Sequence, residues 1–537
     1  MKKLILLLTL AAFSVPAALR AQETAPDNSR YILTPAAPVT PRINGPKIYG
    51  ARPGADFLYR IPTTGERPIA FSAKGLPKGL KLDKETGIIR GTSKKRGTYK
   101  VTLRAENRHG RCEREFRIVI GDKIALTPPM GWNSWNCWGN SVSQEKVMSS
   151  AKAMLEKGLA DYGWTYINID DGWQGLRGGK YKGIQPNSKF PDMKALGDFL
   201  HRNGLKFGIY SGPWVATYAG HIGSSCDNPE GTYWWIEKGM VDSVWKLDRS
   251  KLKRDSLWYF GACSFARQDA KQWAEWGVDY LKYDWNQNDP WWLRDMADAL
   301  HATGRDIVYS ISNHSRVTLG PVLQEVAECW RTTGDIRDTW KSMSSIGFGG
   351  QDLWAGYRRP GNWPDADMLV VGKVGWGPKT HWTQLTPDEQ YTHISLWSVL
   401  ASPMLIGCDM ADMDDFTVSL LCNSEVLDVH QDALGLQGAR MYGDATYATY
   451  VKPLEDGSIA VAMFNLSEEP KQIGFIPYSI GLYGTQTIRD LWRQQDVAKV
   501  GQKERWETEV APHGVCFVRV YPGNTGEKLA GFAGRYQ

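Results

Sequence analysis

From about residue 125 to 435 the chain alternates two kinds of hydrophobic pattern. Val147, Ala151, Met154 and Leu155 recur at helical spacing, and Gly158 stops the pattern. Met193, Leu196, Phe199 and Leu200 repeat it before Gly204, Ala266, Ala270, Trp273 and Ala274 before Gly277, and Leu293, Met296, Ala297 and Leu300 before Gly304. Between such helices lie short apolar runs that end in polar or acidic residues. Eight strands are predicted: Met130–Trp135, Tyr166–Asp171, Lys206–Tyr210, Tyr280–Asp284, Ile307–Ile311, Cys329–Thr332, Asp367–Val371 and Pro403–Asp409. Eight βα units predict an α/β fold, a (β/α)8 TIM barrel over residues 123–434, with a doubly wound open sheet as the alternative. Functional residues of a barrel gather at the carboxyl ends of its strands, and here several ends carry Asp, Lys, Arg or Trp.

The flanks follow a period of two. Residues 50–122, with runs such as 100–104 and 116–120 and turns at Gly87, Gly91 and Gly97, predict a small β-sandwich. Residues 435–537 predict a C-terminal antiparallel β-domain, as in 445–451, 459–464 and 515–520. Residues 22–49 hold Pro26, Pro35, Pro38, Pro41 and Pro46 and read as a linker or a first strand. At the start, Lys2 and Lys3 precede the apolar run Leu4–Phe13 and the small residues Ala17, Ala18 and Ala21. That is a signal-peptide pattern over residues 1–21, shorter than the roughly 20 apolar residues of a membrane span. Export to the periplasm or the medium is expected.

Composition adds mainly exclusions. With 42% hydrophobic and 23% charged residues the 537-residue chain is an ordinary globular one. Its net charge of +6, partly supplied by Lys2, Lys3 and Arg20, is too small to imply nucleic acid. Eight cysteines scattered singly, with no C-x-x-C, describe neither a disulfide scaffold nor a zinc site, and leave one or two bridges open.

No H-E-x-x-H, Walker loop, G-x-S-x-G or dinucleotide fingerprint occurs, which removes the support for several common hydrolase and nucleotide-binding classes. What remains are carboxylates at predicted strand ends, Asp170, Asp171, Asp284, Asp335, Asp367 and Asp409, together with 24 Trp. Paired carboxylates are the minimum equipment of glycoside hydrolysis, and aromatic rings offer flat apolar faces to a sugar. Each strand-end Asp could equally cap the following helix, and most of the Trp belong in a core. Lys282 is harder to place as core. It lies two residues before Asp284, so both side chains face one cavity, and a buried lysine needs such a partner.

Six ordered motifs, 130–135 (MGWNSW), 168–173 (NIDDGW), 204–210 (GLKFGIY), 280–284 (YLKYD), 330–336 (WRTTGDI) and 361–369 (GNWPDADML), resemble glycoside hydrolase family 27, as does 431–438 (QDALGLQG). This is the family of α-galactosidases and α-N-acetylgalactosaminidases. Residues 75–83, 86–92 and 97–102 resemble the immunoglobulin-like modules appended to secreted bacterial enzymes. The resemblance implies a retaining exo-α-galactosidase that needs no cofactor or metal and acts on carbohydrate ending in α-linked galactose. Asp284 matches the nucleophile, ionised beside Lys282, and Asp335 the acid/base, which must hold a proton near neutral pH. Asp170 and Asp171 match acceptors for galactose O4 and O6, Lys282 and Arg331 donors near O2 and O3, Trp135 the ring-face wall, and Tyr210 and Asp367 further pocket members. Asp338, just beyond Asp335, reads as structural.

Three departures from the family pattern bear on the site. Ser312 and Ser315 stand where galactose-selective members carry Glu and a bulky residue, which resembles the N-acetylgalactosaminidases and keeps that activity as the alternative. A catalytically silent carbohydrate-binding protein is a third, weaker reading. Asn286 stands where many relatives carry a cysteine after the nucleophile, which argues against a local disulfide there rather than for any specificity. Between Gly212 and Ala266 runs a long aromatic connection expected to fold over the mouth of the site and shape the leaving-group side.

Overall fold

The computed structural model describes residues 25–523, so the leader expected at residues 1–21 lies outside the described residues. Eight parallel strands form one curled sheet: β1 Met130–Asn133, β2 Tyr166–Asn168, β3 Lys206–Ser211, β4 Tyr280–Asp284, β5 Val308–Ser312, β6 Cys329–Arg331, β7 Trp363–Asp365 and β8 Met404–Ile406. Their order is 7-6-5-4-3-2-1-8. Just beyond β7, the Leu369 N–H donates to the Leu405 carbonyl and the Gly407 N–H to the Leu369 carbonyl, which joins β7's extension to β8 and closes the barrel. Several helices between strands start at polar caps. Ser143 caps Gln144–Glu156, Asp192 caps Met193–Arg202 and Asp289 caps Pro290–His301, each side chain accepting a backbone N–H of the first turn.

The seventh strand is displaced from the sequence expectation. The apolar run Asp367–Val371 is buried as a parallel strand would be, but Asp367 has φ +80°, which breaks the extended path. The strand lies earlier, at Trp363–Asp365, where Pro364 argues against a strand because it cannot donate to a ladder. β1, β2 and β8 also stop short of their expected ends, so Asp170 and Asp171 sit on the turn that leaves the sheet and Trp135 opens a short helix.

Inward positions repeat every second residue. Tyr166, Tyr280, Val308, Cys329, Trp363 and Leu405 fill the lower barrel. Above them the register aligns Lys282 with Tyr210 and Ser310, and Asp284 with Ser312. A Cβ at Gly208 would lie 1.9 Å from Asn168 Oδ1, so glycine there leaves room for the Asn168 side chain inside the barrel.

Two β-sandwiches flank the barrel. In the first, four strands (Ile48–Ala51, Gly110–Ile120, Gly97–Asn107, Ala70–Lys74) face three (Asp56–Arg60, Ile88–Thr92, Leu80–Leu82) over a core that includes Phe57, Phe71, Val101, Phe116 and Ile118. In the second, a six-stranded antiparallel sheet and the pair Lys471–Phe475 and Trp506–Val510 enclose Ile459, Val461, Ile473, Phe475 and Val518. Ahead of the first sandwich the proline-rich segment is pinned: the Leu33 N–H donates to Tyr391 Oη, and Tyr391 Oη donates to the Tyr31 carbonyl. No helix among the described residues is long and apolar enough to cross a membrane.

Candidate active site

The carboxyl ends of the barrel strands bring most of the expected residues together. Lys282 Nζ lies 2.8 Å from Asp170 Oδ2, and Asp170 Oδ1 accepts the Asp171 N–H at 2.8 Å. Burial alone would depress the Lys282 ammonium, but the Asp170 and Asp284 carboxylates overcome this and hold it above its ordinary value. Tyr210 Oη donates to Asp284 Oδ2 at 3.1 Å, while Asp284 Oδ1 is buried with no hydrogen-bond partner in the protein. One oxygen is therefore held and the other is bare. Trp135, partly buried at the head of the short helix Trp135–Trp138, packs over the inner barrel layer. Ser312 is buried at the end of β5, opposite Asp284.

Asp335 follows β6 and has its side chain 64% exposed, with Arg331 Nη2 3.3 Å from Oδ1. Arg331 Nη1 also binds Asp367 Oδ1 at 2.7 Å, and Asp367 Oδ2 accepts the Ile336 N–H at 2.7 Å. Asp367 is thus committed behind Arg331, where it orients the guanidinium and the turn that carries Asp335. Asp338 is buried and accepts from His381 Nε2 and the Gln384 N–H, both at 3.1 Å.

The charge states differ from the sequence expectation. Desolvation pushes Asp284 up to about 7, against Lys282, which pulls it down. Desolvation also acts upward on Asp335, but Arg331 and Lys282 outweigh it and leave that carboxyl below the ordinary range. The proton that the family resemblance expects on Asp335 is therefore favoured on Asp284. Desolvation raises Asp171 to about 7 as well, despite the hydrogen bonds it accepts.

Those bonds come from residues that the strand-end pattern does not mark. Thr217 Oγ1 donates to Asp171 Oδ1 at 2.9 Å and the Ala219 N–H to Oδ2 at 2.8 Å. Between them Tyr218 accepts from Asn313 Nδ2 at 2.9 Å, and its phenol is pushed up first by burial and then by the Asp284 charge. The only sequence signal was their place, directly after β3, at the root of the long connection.

That connection is a packed lobe. Tyr233, Trp235, Leu247 and Leu257 are buried in it, the Leu247 N–H donates to the Gly220 carbonyl at 2.6 Å, and Arg254 Nη1 donates to the Tyr218 carbonyl at 3.0 Å. Cys226 and Cys263 are cross-strand partners at its base, and all eight cysteines are free thiols.

Comparison with known proteins agrees with this arrangement. The alpha galactosidase A family model matches residues 127–255 and 252–432, the alpha galactosidase C-terminal beta sandwich model residues 444–520, and an Ig-domain model residues 38–121. Alpha-galactosidase 2 of Arabidopsis thaliana is 35% identical over 407 residues, 74% of this chain and 90% of its own. A Bacteroides fragilis crystal structure described as a candidate alpha-galactosidase/melibiase superposes with a TM-score of 0.78 at 36% identity, over 92% of this chain and 99% of that one. A GH27 β-L-arabinopyranosidase from Geobacillus stearothermophilus superposes with a TM-score of 0.62 at 28% identity, over 75% and 98%. The motif matches, the barrel with its carboxylate-lined mouth and these relatives lead to one assignment: the chain is a glycoside hydrolase and belongs to family 27, the α-galactosidase family.

Proposed function

We propose that the chain is an exported, retaining exo-α-galactosidase that removes terminal α-linked galactose by double displacement. The observation that carries this reading is the Asp284 carboxylate, with Oδ2 held by Tyr210 and Oδ1 bare, in the same electrostatic field as Asp335. Asp284 Oδ1 attacks the anomeric carbon as Asp335 protonates the leaving oxygen. Asp335 then takes a proton from the water that breaks the glycosyl–enzyme bond. Lys282, fixed by Asp170, and Arg331, fixed by Asp367, donate to sugar hydroxyls, and Trp135 walls the ring face. Asp170 and Asp171 together favour a sugar with an exocyclic hydroxymethyl over an arabinopyranoside.

The test compares kcat/KM for aryl α-galactoside and aryl α-N-acetylgalactosaminide, with the product anomer followed by proton NMR. A galactoside preference, an α-anomer formed first, and loss of at least about 10³-fold in Asp284→Asn are expected. A β-anomer formed first rejects the double displacement. Preference for the acetamido sugar selects the second reading, which the small residues Ser312 and Ser315 favour; Ser315 Oγ lies 2.9 Å from Asn288 Oδ1.

A further inference from the structure

We propose that Phe260, Trp291 and Trp292 form a leaving-group subsite that binds a saccharide chain beyond the scissile bond. This rests on the α-galactosidase reading and adds to it the rings that hold the leaving saccharide. Phe260 and Trp292 lie parallel with ring centroids 4.6 Å apart at 9°, and Trp291 meets Trp292 edge-on at 4.6 Å and 80°. Trp291 is 59% exposed and Phe260 37%, so both rings present apolar surface to water.

The platform stands on the catalytic face. The helix Pro290–His301 begins directly beyond β4, whose last residue is Asp284, and barrel helices that follow a strand begin at the end where the chemistry sits. Phe260 comes from the lobe whose root places Tyr218 beside Asp284. Tyr218 meets Trp258 edge-on at 4.8 Å, close in sequence to Phe260, so the rings lead outward from the pocket. The outer rings are preorganised. Asp289 Oδ1 accepts the N–H groups of Trp291 at 2.9 Å and Trp292 at 3.4 Å, and Pro290 fixes the first helical turn.

Flat, rigid, water-exposed rings suit a pyranose, whose C–H face lies on the ring while its hydroxyls keep their water. Such contacts carry little preference for one sugar over another, which fits a leaving group better than the galactose itself. A second copy of this chain is the competing occupant, and the test separates the two.

The full chain, Trp291→Ala and the double variant Phe260→Ala with Trp291→Ala are compared on aryl α-galactoside and on α-galactosyl-capped oligosaccharides of two to five sugars. The aryl substrate is expected to keep its kcat/KM within about twofold. The longest oligosaccharide is expected to lose about five- to tenfold, through KM and increasingly with length. Equal loss on all substrates, or none on any, overturns the subsite. A native molecular mass that falls from dimer to monomer on substitution assigns the rings to a copy contact and overturns it too. An unsubstituted enzyme that cleaves no α-galactoside, aryl or oligosaccharide, rejects the α-galactosidase reading itself, and the subsite falls with it.

Discussion

Asp284, pushed up to about 7, and Asp335, held low by Arg331, titrate as a pair that carries one proton over the interval between them. Double displacement needs that proton on Asp335. A sugar bound at the mouth would cover the exposed Asp335 side chain and strip its water, raising its affinity for the proton, and its hydroxyls would stabilise Asp284 as the anion. Below the interval a second proton silences the nucleophile, and above it no acid remains. The kcat/KM profile is therefore expected to be bell-shaped, with its alkaline limb at about 7 and its acid limb below the ordinary Asp value of about 3.9. Arg331→Gln removes the charge that holds Asp335 low, so the acid limb should move up by a unit or more; an unmoved limb refutes the coupling. The positions of Lys282 and Asp284 were legible because period two puts both inside a barrel. Their protonation was not, since it depends on burial depth and on how Arg331 folds back towards Asp335. Asp367 read as a sugar contact for a related reason: the motif showed a strand-end carboxylate but not the arginine in front of it.

The helices, most strands and the two flanking sandwiches follow from periodicity. The seventh strand does not, because Pro364 masks it and the apolar run after Asp367 imitates it. The lobe after β3 reads in sequence as a long aromatic connection over the mouth of the site, but its internal packing does not, since packing within an irregular segment leaves no period. Its consequence is the clamp on Asp171. Thr217→Val removes one of two donors to that carboxylate, so Asp171 rises further from about 7 and is less available as an anionic acceptor. KM for aryl galactoside should rise about five- to tenfold, the equivalent of ~1–1.5 kcal/mol, with kcat within about twofold. A lower Tm with unchanged KM would make the clamp purely architectural. Because Leu247 and Arg254 brace the same root and the lobe also carries Phe260, deleting residues 228–258 should impair aryl galactoside and impair oligosaccharides more.

At the opposite end, the N-terminal sandwich is docked against the barrel's base and reaches the C-terminal domain. Arg52 Nε pairs with Asp306 at 2.6 Å, Lys206 of β3 meets the Tyr49 hydroxyl, and Arg117 pairs with Glu455. No periodicity in the sequence announces this docking, which rests on scattered single side chains, including the neutral Asn44, whose Nδ2 donates to the Asp161 carbonyl at 2.9 Å. These contacts adjoin a buried cluster in which Asp279 binds Arg305 Nη2 at 2.6 Å, His201 Nε2 at 2.7 Å and the Phe207 N–H at 2.8 Å, while Arg305 also reaches Asp56 of the sandwich at 3.3 Å. Burial pushes Asp279 up, but Arg305 and His201 outweigh it and hold the carboxyl far below its ordinary value. A depressed folded-state value contributes stability above the unfolded value of about 3.9, and this is lost as pH falls towards the folded one. Asp279→Asn should therefore cost about 3 kcal/mol at pH 7 by leaving Arg305 without its buried partner, and the gap to the unsubstituted protein should narrow below about pH 4 in denaturant titrations. Asp279 precedes β4 by one residue and Asp284 ends it, a separation of about 16 Å along an extended strand. At 25 °C kcat/KM per folded molecule should consequently stay within about twofold; a larger loss would mean that the base on which the sandwich sits is coupled to the catalytic mouth.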